Sequence, residues 1–408
     1  MSEIDVWPPL PIVIIVDVFE SWSTHTWCLD NVVEALRHND RICQLTISEI
    51  LSEDLEEILA ATQKPFPALT HLELLQPQLH KETAPLNPGS FSGGSAPHLQ
   101  TLRLDCVPFP GLPKLLLSAT NLVDLDLRRI PYSGYISPEA MVACLSGLTR
   151  LETLTIRFES PRCRPDQRSR RPPPPTRALL PSLTEPNFGG SSEYLEDLVA
   201  RINVPLLDKL SILFFHQLIF DTPLLTQFIG RISKFNTPNG AQALVVLSDK
   251  ALVSITLPRT SGGKAHILQL GISCGQSDWQ LSSLVQFCSS SFPYSLIPAV
   301  EHLYIVKGCF PRPRWHDDIE CHQWLELFHP FTSVKSLYMS EDFVPRIAPA
   351  LQASVEAGVT EVLPALEDLF LEEPWPSGPV LEDIEKFVAA RKLSGNHISV
   401  SLWSGMVV

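Results

Sequence analysis

The chain has 408 residues, of which 44% are hydrophobic and 19% charged, so it can bury a large core. Its formal net charge of −14 argues against a nucleic-acid-binding protein, because phosphate contacts need clustered lysine and arginine. The nine cysteines are dispersed without a CxxC pair, which is typical of reduced thiols. No signal peptide is evident, and no run approaches the roughly 20 apolar residues of a membrane span. We therefore expect an intracellular protein, cytoplasmic or nuclear, that binds neither membranes nor nucleic acid.

A six-residue pattern, apolar-x-x-apolar-x-apolar, recurs along the chain. The nine copies are ICQLTI (42–47), LTHLEL (69–74), LQTLRL (99–104), LVDLDL (122–127), LETLTI (151–156), LDKLSI (207–212), VEHLYI (300–305), VKSLYM (334–339) and LEDLFL (366–371). A tenth copy, LTEPNF at 183–188, is degraded because Pro186 holds its second apolar position. The last two apolar residues of each copy alternate with one other residue, which is typical of a strand with one buried face.

The stretches between the copies have helical periodicity. Ser137 and Pro138 form one start signal, a helix cap followed by proline at the first helical position. Helices are predicted at 30–38, 53–62, 138–145, 191–203, 223–232, 278–288, 343–357 and 380–391. Such strand–helix units bury their apolar faces only by stacking, so we expect the nine copies to pair as neighbouring parallel strands in chain order. We predict one irregular α/β leucine-rich-repeat solenoid over 1–408, a horseshoe with a parallel sheet on the concave face and helices on the convex face.

Three segments, 80–97, 157–177 and 241–273, depart from this repeat pattern, and the first is predicted to be a Pro/Gly/Ser-rich loop. Residues 241–273 read as strands joined by turns, which predicts a β-hairpin or meander inserted in the solenoid. The first candidate strand, at 11–18, follows no polar cap, so we expect an upstream segment. Residues 157–177 form a Pro/Arg-rich insertion, and its part 161–177 holds six arginines and one aspartate. It is interpreted as a disordered, deletable loop; the alternatives are an acidic-partner contact, a nuclear-import signal or a ligand for a proline-reading domain.

No segment predicts catalysis. In 315–329, Asp318 and His322 have the i, i+4 spacing of metal ligands on a helix, but an amphipathic helix with solvated charges explains the segment better. The segment 258–266 lacks the glycine and Ser/Thr of a phosphate loop, and a hairpin turn explains its glycines. There is no G-x-S-x-G elbow. We therefore predict that the chain is not an enzyme and has no cofactor, metal or catalytic residue.

One residue in each copy lies between the two buried positions and should point to the concave side. These residues are Thr46, Glu73, Arg103, Asp126, Thr155, Ser211, Tyr304, Tyr338 and Phe370. Glu73, Arg103 and Asp126 are charged, whereas the last three are aromatic, the type that contributes most to interface energy. We predict that these six residues bind a protein partner. The alternative for the aromatics is that a C-terminal cap, or a helix at 380–391, covers them.

Segments such as FPALTHLEL, APHLQTLRLDCVPFPGLPKLLLSATNLVDLDLR and EVLPALEDLFL resemble the leucine-rich-repeat region of F-box-like proteins of mushroom-forming fungi. The resemblance extends roughly from Trp7 to Trp403. It implies a substrate-recognition region of a ubiquitin-ligase subunit, with its protein partner on the concave face. No F-box, the LPxE/I-type segment that docks the ligase adaptor, is evident before Trp7. We therefore expect that this chain alone does not bind the adaptor. The alternative is a stand-alone scaffold or sensor without a ubiquitin-ligase link.

Overall fold

The structure is a computed structural model of the chain. It describes residues 10–17, 25–49, 52–62, 64–76, 95–108, 111–163, 165, 176–217, 220–235, 240–248, 250–257, 265–273, 277–293, 295–308, 321–356 and 362–405. The chain divides into two compact units, Met1–Leu207 (unit 1) and Asp208–Val408 (unit 2). Each unit is described by itself.

Unit 1 alternates strands and helices. Its elements are β1 (Ile12–Asp17), α1 (His25–Leu36), β2 (Ile42–Ser48), α2 (Ser52–Ala61), β3 (His71–Leu75), β4 (Thr101–Asp105), α3 (Leu112–Ser118), β5 (Asp124–Ile130), α4 (Pro138–Leu145), β6 (Thr153–Phe158), β7 (Ala178–Leu179), β8 (Glu185–Gly190), α5 (Ser192–Arg201) and β9 (Ile202–Asn203). Strands β1 to β6 and β8 pair in parallel, in chain order. The two short strands β7 and β9 pair separately.

The repeated leucines form the core of unit 1. Leu72, Leu102, Leu125 and Leu154 lie at neighbouring register positions and are all buried, as predicted. A small cavity shows which way this buried side of the sheet faces. Leu104 and Leu127 line it together with Leu112 of α3 and Met141 of α4. The apolar side of the sheet therefore faces the helices.

Two local predictions in unit 1 are informative. Ser137 caps α4 as predicted: its side chain accepts a hydrogen bond from the backbone N–H of Ala140 at 3.3 Å. The copy that appeared degraded also forms a strand, β8, in which Pro186 pairs in register with Leu154 and Phe188 is buried. Proline removes one backbone N–H from this strand, but the copy keeps its third apolar residue, Phe188, in the core.

The predicted insertion at 157–177 has different bounds in the structure. Residues 157 and 158 belong to β6, and the Cys163 side chain is fully buried. Arg177 Nε donates a hydrogen bond to the Ala200 carbonyl oxygen at 3.3 Å. Both ends of the segment therefore pack as part of unit 1. Residues 164 and 166–175, with the four prolines, lie outside the described residues.

Unit 2 also combines strands and helices. Its elements are β10 (Lys209–Phe215), α6 (Pro223–Gly230), β11 (Ala241–Leu247), β12 (Lys250–Leu257), β13 (His266–Ser273), α7 (Ser277–Ser290), β14 (Val300–Lys307), α8 (Cys321–Phe328), β15 (Ser336–Met339), α9 (Val344–Glu356), β16 (Asp368–Glu372), α10 (Pro379–Leu393) and β17 (Ser399–Trp403). Within the unit the strand order is β10-β13-β12-β11-β14-β15-β16-β17.

The segment 241–273 changes the strand order of unit 2. It forms the three antiparallel strands β11, β12 and β13. Strand β13 pairs in parallel with β10, and β11 pairs in parallel with β14. The copies at 207–212 and 300–305 are therefore not neighbours, and the prediction that all copies pair in chain order is wrong at this place. A meander of three strands can enter a parallel sheet because its two outer strands have the same direction.

The core of unit 2, like that of unit 1, is formed by leucines at matching positions of neighbouring strands. Leu303, Leu337 and Leu369 occupy matching positions on β14, β15 and β16, and all three are fully buried. Phe214 of β10 packs against Phe287 of α7 with ring centroids 5.8 Å apart. The buried side of this sheet therefore also faces helices. Both units are mixed α/β with mostly parallel strands, which is consistent with a leucine-rich-repeat-like fold.

None of the helices in the part of the chain that the structure describes is long and apolar enough to cross a membrane.

Candidate functional site

Each sheet has a second side, turned away from the buried leucines, which we call the open face. In unit 1 the central row of the open face crosses six neighbouring strands. Its residues, paired in register, are Thr46, Glu73, Arg103, Asp126, Thr155 and Asn187. Side chains of parallel neighbours in register lie about 4.8 Å apart, so the residues of this row can contact one another. The predicted site residues Glu73, Arg103 and Asp126 are thus consecutive.

These charged residues form a continuous series of ion pairs, the charge ladder (Glu73, Arg103, Asp126 and Arg128). One guanidinium nitrogen of Arg103 lies 3.1 Å from Glu73 Oε1, and its Nε lies 3.5 Å from Asp126 Oδ2. Arg128 Nε donates to Asp126 Oδ1 at 2.9 Å. His71 Nε2 is 3.5 Å from Glu73 Oε2. The sequence predicted charged residues on this side, but not that they neutralise one another.

Asp126 is less accessible than its predicted role implies. It is only 7% exposed because Arg103 and Arg128 lie on either side of its carboxylate. Burial raises the pKa of Asp126, and the hydrogen bond and positive charge of Arg128 act in the opposite direction. Within the ladder, the Asp126 carboxylate therefore serves to position Arg103 and Arg128 and is not free to bind a partner.

In unit 2 the open face has an aromatic centre. Tyr304, Tyr338 and Phe370 pair in register on β14, β15 and β16. The rings of Tyr304 and Tyr338 are stacked with centroids 4.2 Å apart, and those of Tyr338 and Phe370 with centroids 4.4 Å apart. We call these three residues the aromatic stack. Their side chains are half-buried, so the stack is neither core nor fully solvated.

A fourth aromatic residue contacts the stack from the last strand. Trp403 of β17 packs edge-on against Tyr338, with centroids 5.5 Å apart, and lies 6.2 Å from Tyr304. Its Nε1–H donates to the Met339 carbonyl oxygen at 3.3 Å. The sequence analysis did not predict β17, although the alternation in ISVSLW (398–403) is a strand signal. The prediction therefore missed Trp403 as a member of the site.

The residues around the stack are polar. Asp368 and Glu372 lie on β16, one on each side of Phe370, and the Ser399 hydroxyl donates to Asp368 Oδ1 at 2.6 Å. Ser336, between His302 and Asp368 in the register, is buried rather than part of an accessible rim. These groups place negative charge around an aromatic centre, the arrangement of a protein interface with a polar rim.

Burial of the stack affects its titration. Desolvation, followed by the charge and hydrogen bond of Tyr338, raises the pKa of Tyr304 to about 12. The phenol of Tyr304 thus stays protonated over the physiological range and can donate a hydrogen bond.

The possible metal ligands at 315–329 are only partly described. Residues 321–328 form helix α8, in which the side chains of Trp324 and Phe328 are fully buried, as an amphipathic helix requires. Asp318 lies outside the described residues. Within the described ranges, no group of three His, Cys, Asp or Glu side chains is arranged to hold a metal ion.

No protein-family model and no curated protein matches the sequence. Among solved structures, the chain is similar to the leucine-rich repeat-containing protein LegL7 from Legionella pneumophila. The identity is 14%, the match covers 95% of this chain and 90% of LegL7, and the TM-score is 0.31. A TM-score of this size does not establish a shared fold.

Proposed function

We propose that the chain is a leucine-rich-repeat protein-recognition module, a solenoid that binds a protein partner on the open faces of its sheets. It would act by binding rather than catalysis. The observation that carries the proposal is the aromatic stack with Trp403: four half-buried aromatic side chains, held by in-register strands and flanked by carboxylates. Tyrosine and tryptophan in such settings contribute most of the binding energy in protein interfaces.

Folding alone does not account for the stack. The leucines on the other side of the same strands already provide the core, because Leu303, Leu337 and Leu369 are fully buried. Aromatic rings on the open face therefore add a rigid surface of low side-chain entropy, which suits recognition. The charge ladder adds a polar surface in unit 1 with fixed side-chain positions.

The experiment uses quantitative mass spectrometry to compare the proteins captured by three forms of the full chain: the unchanged chain, Tyr338→Ala and Tyr132→Ala. Tyr338→Ala should lose specific partners that the unchanged chain captures, because it removes the central ring of the stack. Tyr132→Ala is the matched control, since Tyr132 is 68% exposed and lies outside the sheet. Capture of the same proteins by all three forms would contradict the proposal.

The finer proposal is that the partner is a substrate for ubiquitination and that the chain acts as the substrate-binding region of an F-box ubiquitin-ligase subunit. Its support is the resemblance of segments such as FPALTHLEL to fungal F-box-like proteins. The alternative is a stand-alone scaffold or sensor without a ubiquitin-ligase link. Ubiquitination of the captured partner by a complex containing the chain would support the ligase role; stoichiometric binding without it would support the scaffold.

A further inference from the structure

Arg157 of β6 differs from other arginines of unit 1. Arg103, Arg128 and Arg129 each lie within ion-pair distance of a carboxylate. Among the described residues Arg157 has no such partner, and its Nε and one terminal nitrogen both donate to Asn187 Oδ1, at 3.2 and 3.1 Å. Because asparagine is neutral, the charge of Arg157 is not compensated.

A second arginine, Arg128 of the charge ladder, adds N–H donors although Asp126 neutralises its charge. Arg128 lies on β5, the strand that pairs with β6. Burial lowers the pKa of Arg157, and the positive charge of Arg128 lowers it further, with Asp126 acting in the opposite direction. The Arg128 bond to Asp126 uses Nε, one of five N–H donors of that guanidinium. Two neighbouring guanidinium groups thus have donors left for an anion.

The neighbouring strand β8 holds the planar guanidinium group of Arg157 in place. A Cβ atom at Gly189 would lie only 3.0 Å from Arg157 Cγ and 3.3 Å from Arg157 Cβ. Glycine therefore gives the stem of Arg157 room to pack against β8, where Asn187 orients the guanidinium. A half-buried arginine fixed in this way loses little entropy when it binds a ligand.

We propose that Arg157 and Arg128 bind a side-chain carboxylate of an acidic segment in the partner protein, an inference that rests on the proposed function. The planar guanidinium fork matches a carboxylate with two parallel hydrogen bonds. An anion between the two groups also removes their mutual repulsion. Asp126, the acid whose charge acts on Arg157, already forms ion pairs with Arg103 and Arg128, so Arg157 remains available for a carboxylate of the partner.

The test measures binding of short fluorescent peptides to the full chain by fluorescence anisotropy at low salt. The probe is an alternating Gly-Glu peptide; a Gly-Gln peptide reports binding without charge, and a phosphoserine peptide of equal net charge reports the other common oxyanion. Arg157→Gln should weaken binding of the Gly-Glu peptide by about tenfold to a hundredfold, the range for losing charge-assisted hydrogen bonds. Arg150→Gln should leave it unchanged. Arg150 is a matched control because it also donates to an asparagine oxygen, that of Asn121, but is exposed.

Binding of the Gly-Glu peptide that is insensitive to Arg157→Gln would overturn the proposal, and so would recognition of the phosphoserine peptide alone. If Arg157→Gln fails to fold, the unchanged protein still provides a test. The Gly-Glu peptide should protect Arg157 and Arg128 from phenylglyoxal modification, mapped by mass spectrometry, and should not protect Arg150. Equal modification of all three with and without peptide would refute the site. Neither readout involves Tyr338, so failure here is distinguishable from failure of the proposed function.

Discussion

Replacing Leu102 by alanine should destabilise the protein strongly, because Leu102 is a core residue at the centre of the repeat pattern. Its side chain is fully buried on β4, in register with the buried Leu72 and Leu125 on the two adjacent strands. Deleting a buried leucine side chain to Cβ costs about 3–5 kcal/mol, through lost burial and the cavity that remains. For a unit of this size, that corresponds to a fall of roughly 6–20 °C in the unfolding midpoint.

Leu117→Ala is the matched control for this substitution. Leu117 lies in α3 and is 62% exposed, so the same loss of atoms leaves no cavity, and the midpoint should shift by less than about 2 °C. Circular dichroism at 222 nm during heating, with urea unfolding as a second measure, compares the two variants. Equal shifts for Leu102→Ala and Leu117→Ala would refute the assignment of the second leucine in each copy to the core.

Two further predictions concern titration and deletion. Since the folded-state pKa of Tyr304 is raised to about 12, its ionisation should follow that of exposed tyrosines in a spectrophotometric titration. The contribution of this group to stability is fully present below about pH 10 and is lost as the pH rises through about 12. Burial also raises the pKa values of Tyr135 and Tyr194, so the test is the amplitude of the late step: no decrease of that amplitude in a Tyr304→Phe variant would contradict the prediction. Deletion of 166–175, which spares the buried Cys163 and the bonded Arg177, should lower the unfolding midpoint by less than about 5 °C, because three arginines beside four prolines cannot bury enough apolar area to offset ordering. A larger fall would show that the segment packs against unit 1.

The strands of unit 1 could be predicted from the sequence because their signal is local. In L-x-x-L-x-L, the period of the apolar residues matches the period of a strand, and the buried Leu72, Leu102, Leu125 and Leu154 follow directly. The strand order around 241–273 could not be predicted in this way. Whether a meander lies outside a sheet or enters it depends on pairing between distant strands, such as β10 with β13, and the repeat pattern carries no information on that pairing.

The site was predictable only in part. Tyr304, Tyr338 and Phe370 hold the same position in three copies of the pattern, which predicts that they lie side by side. In the structure they pair in register. The contact with Trp403 depends on β17, a strand outside the repeat pattern, and the pairing of Arg157 with Asn187 depends on the register of a copy interrupted by Pro186. Both contacts join residues that are far apart in the sequence, so the local sequence around each residue does not determine them.

The dissociation constant of a purified partner for the Tyr338→Ala variant decides whether the aromatic stack binds a protein partner. Tyr338 is half-buried, with stacked rings on both sides at 4.2 and 4.4 Å. Removing such a ring from an interface costs about 2 kcal/mol or more, which is a roughly 30-fold weaker complex. We expect calorimetry to show that loss, with the urea midpoint nearly unchanged and with Tyr132→Ala binding like the unchanged chain. Full affinity of Tyr338→Ala together with a large loss of stability would show instead that the stack is part of the core.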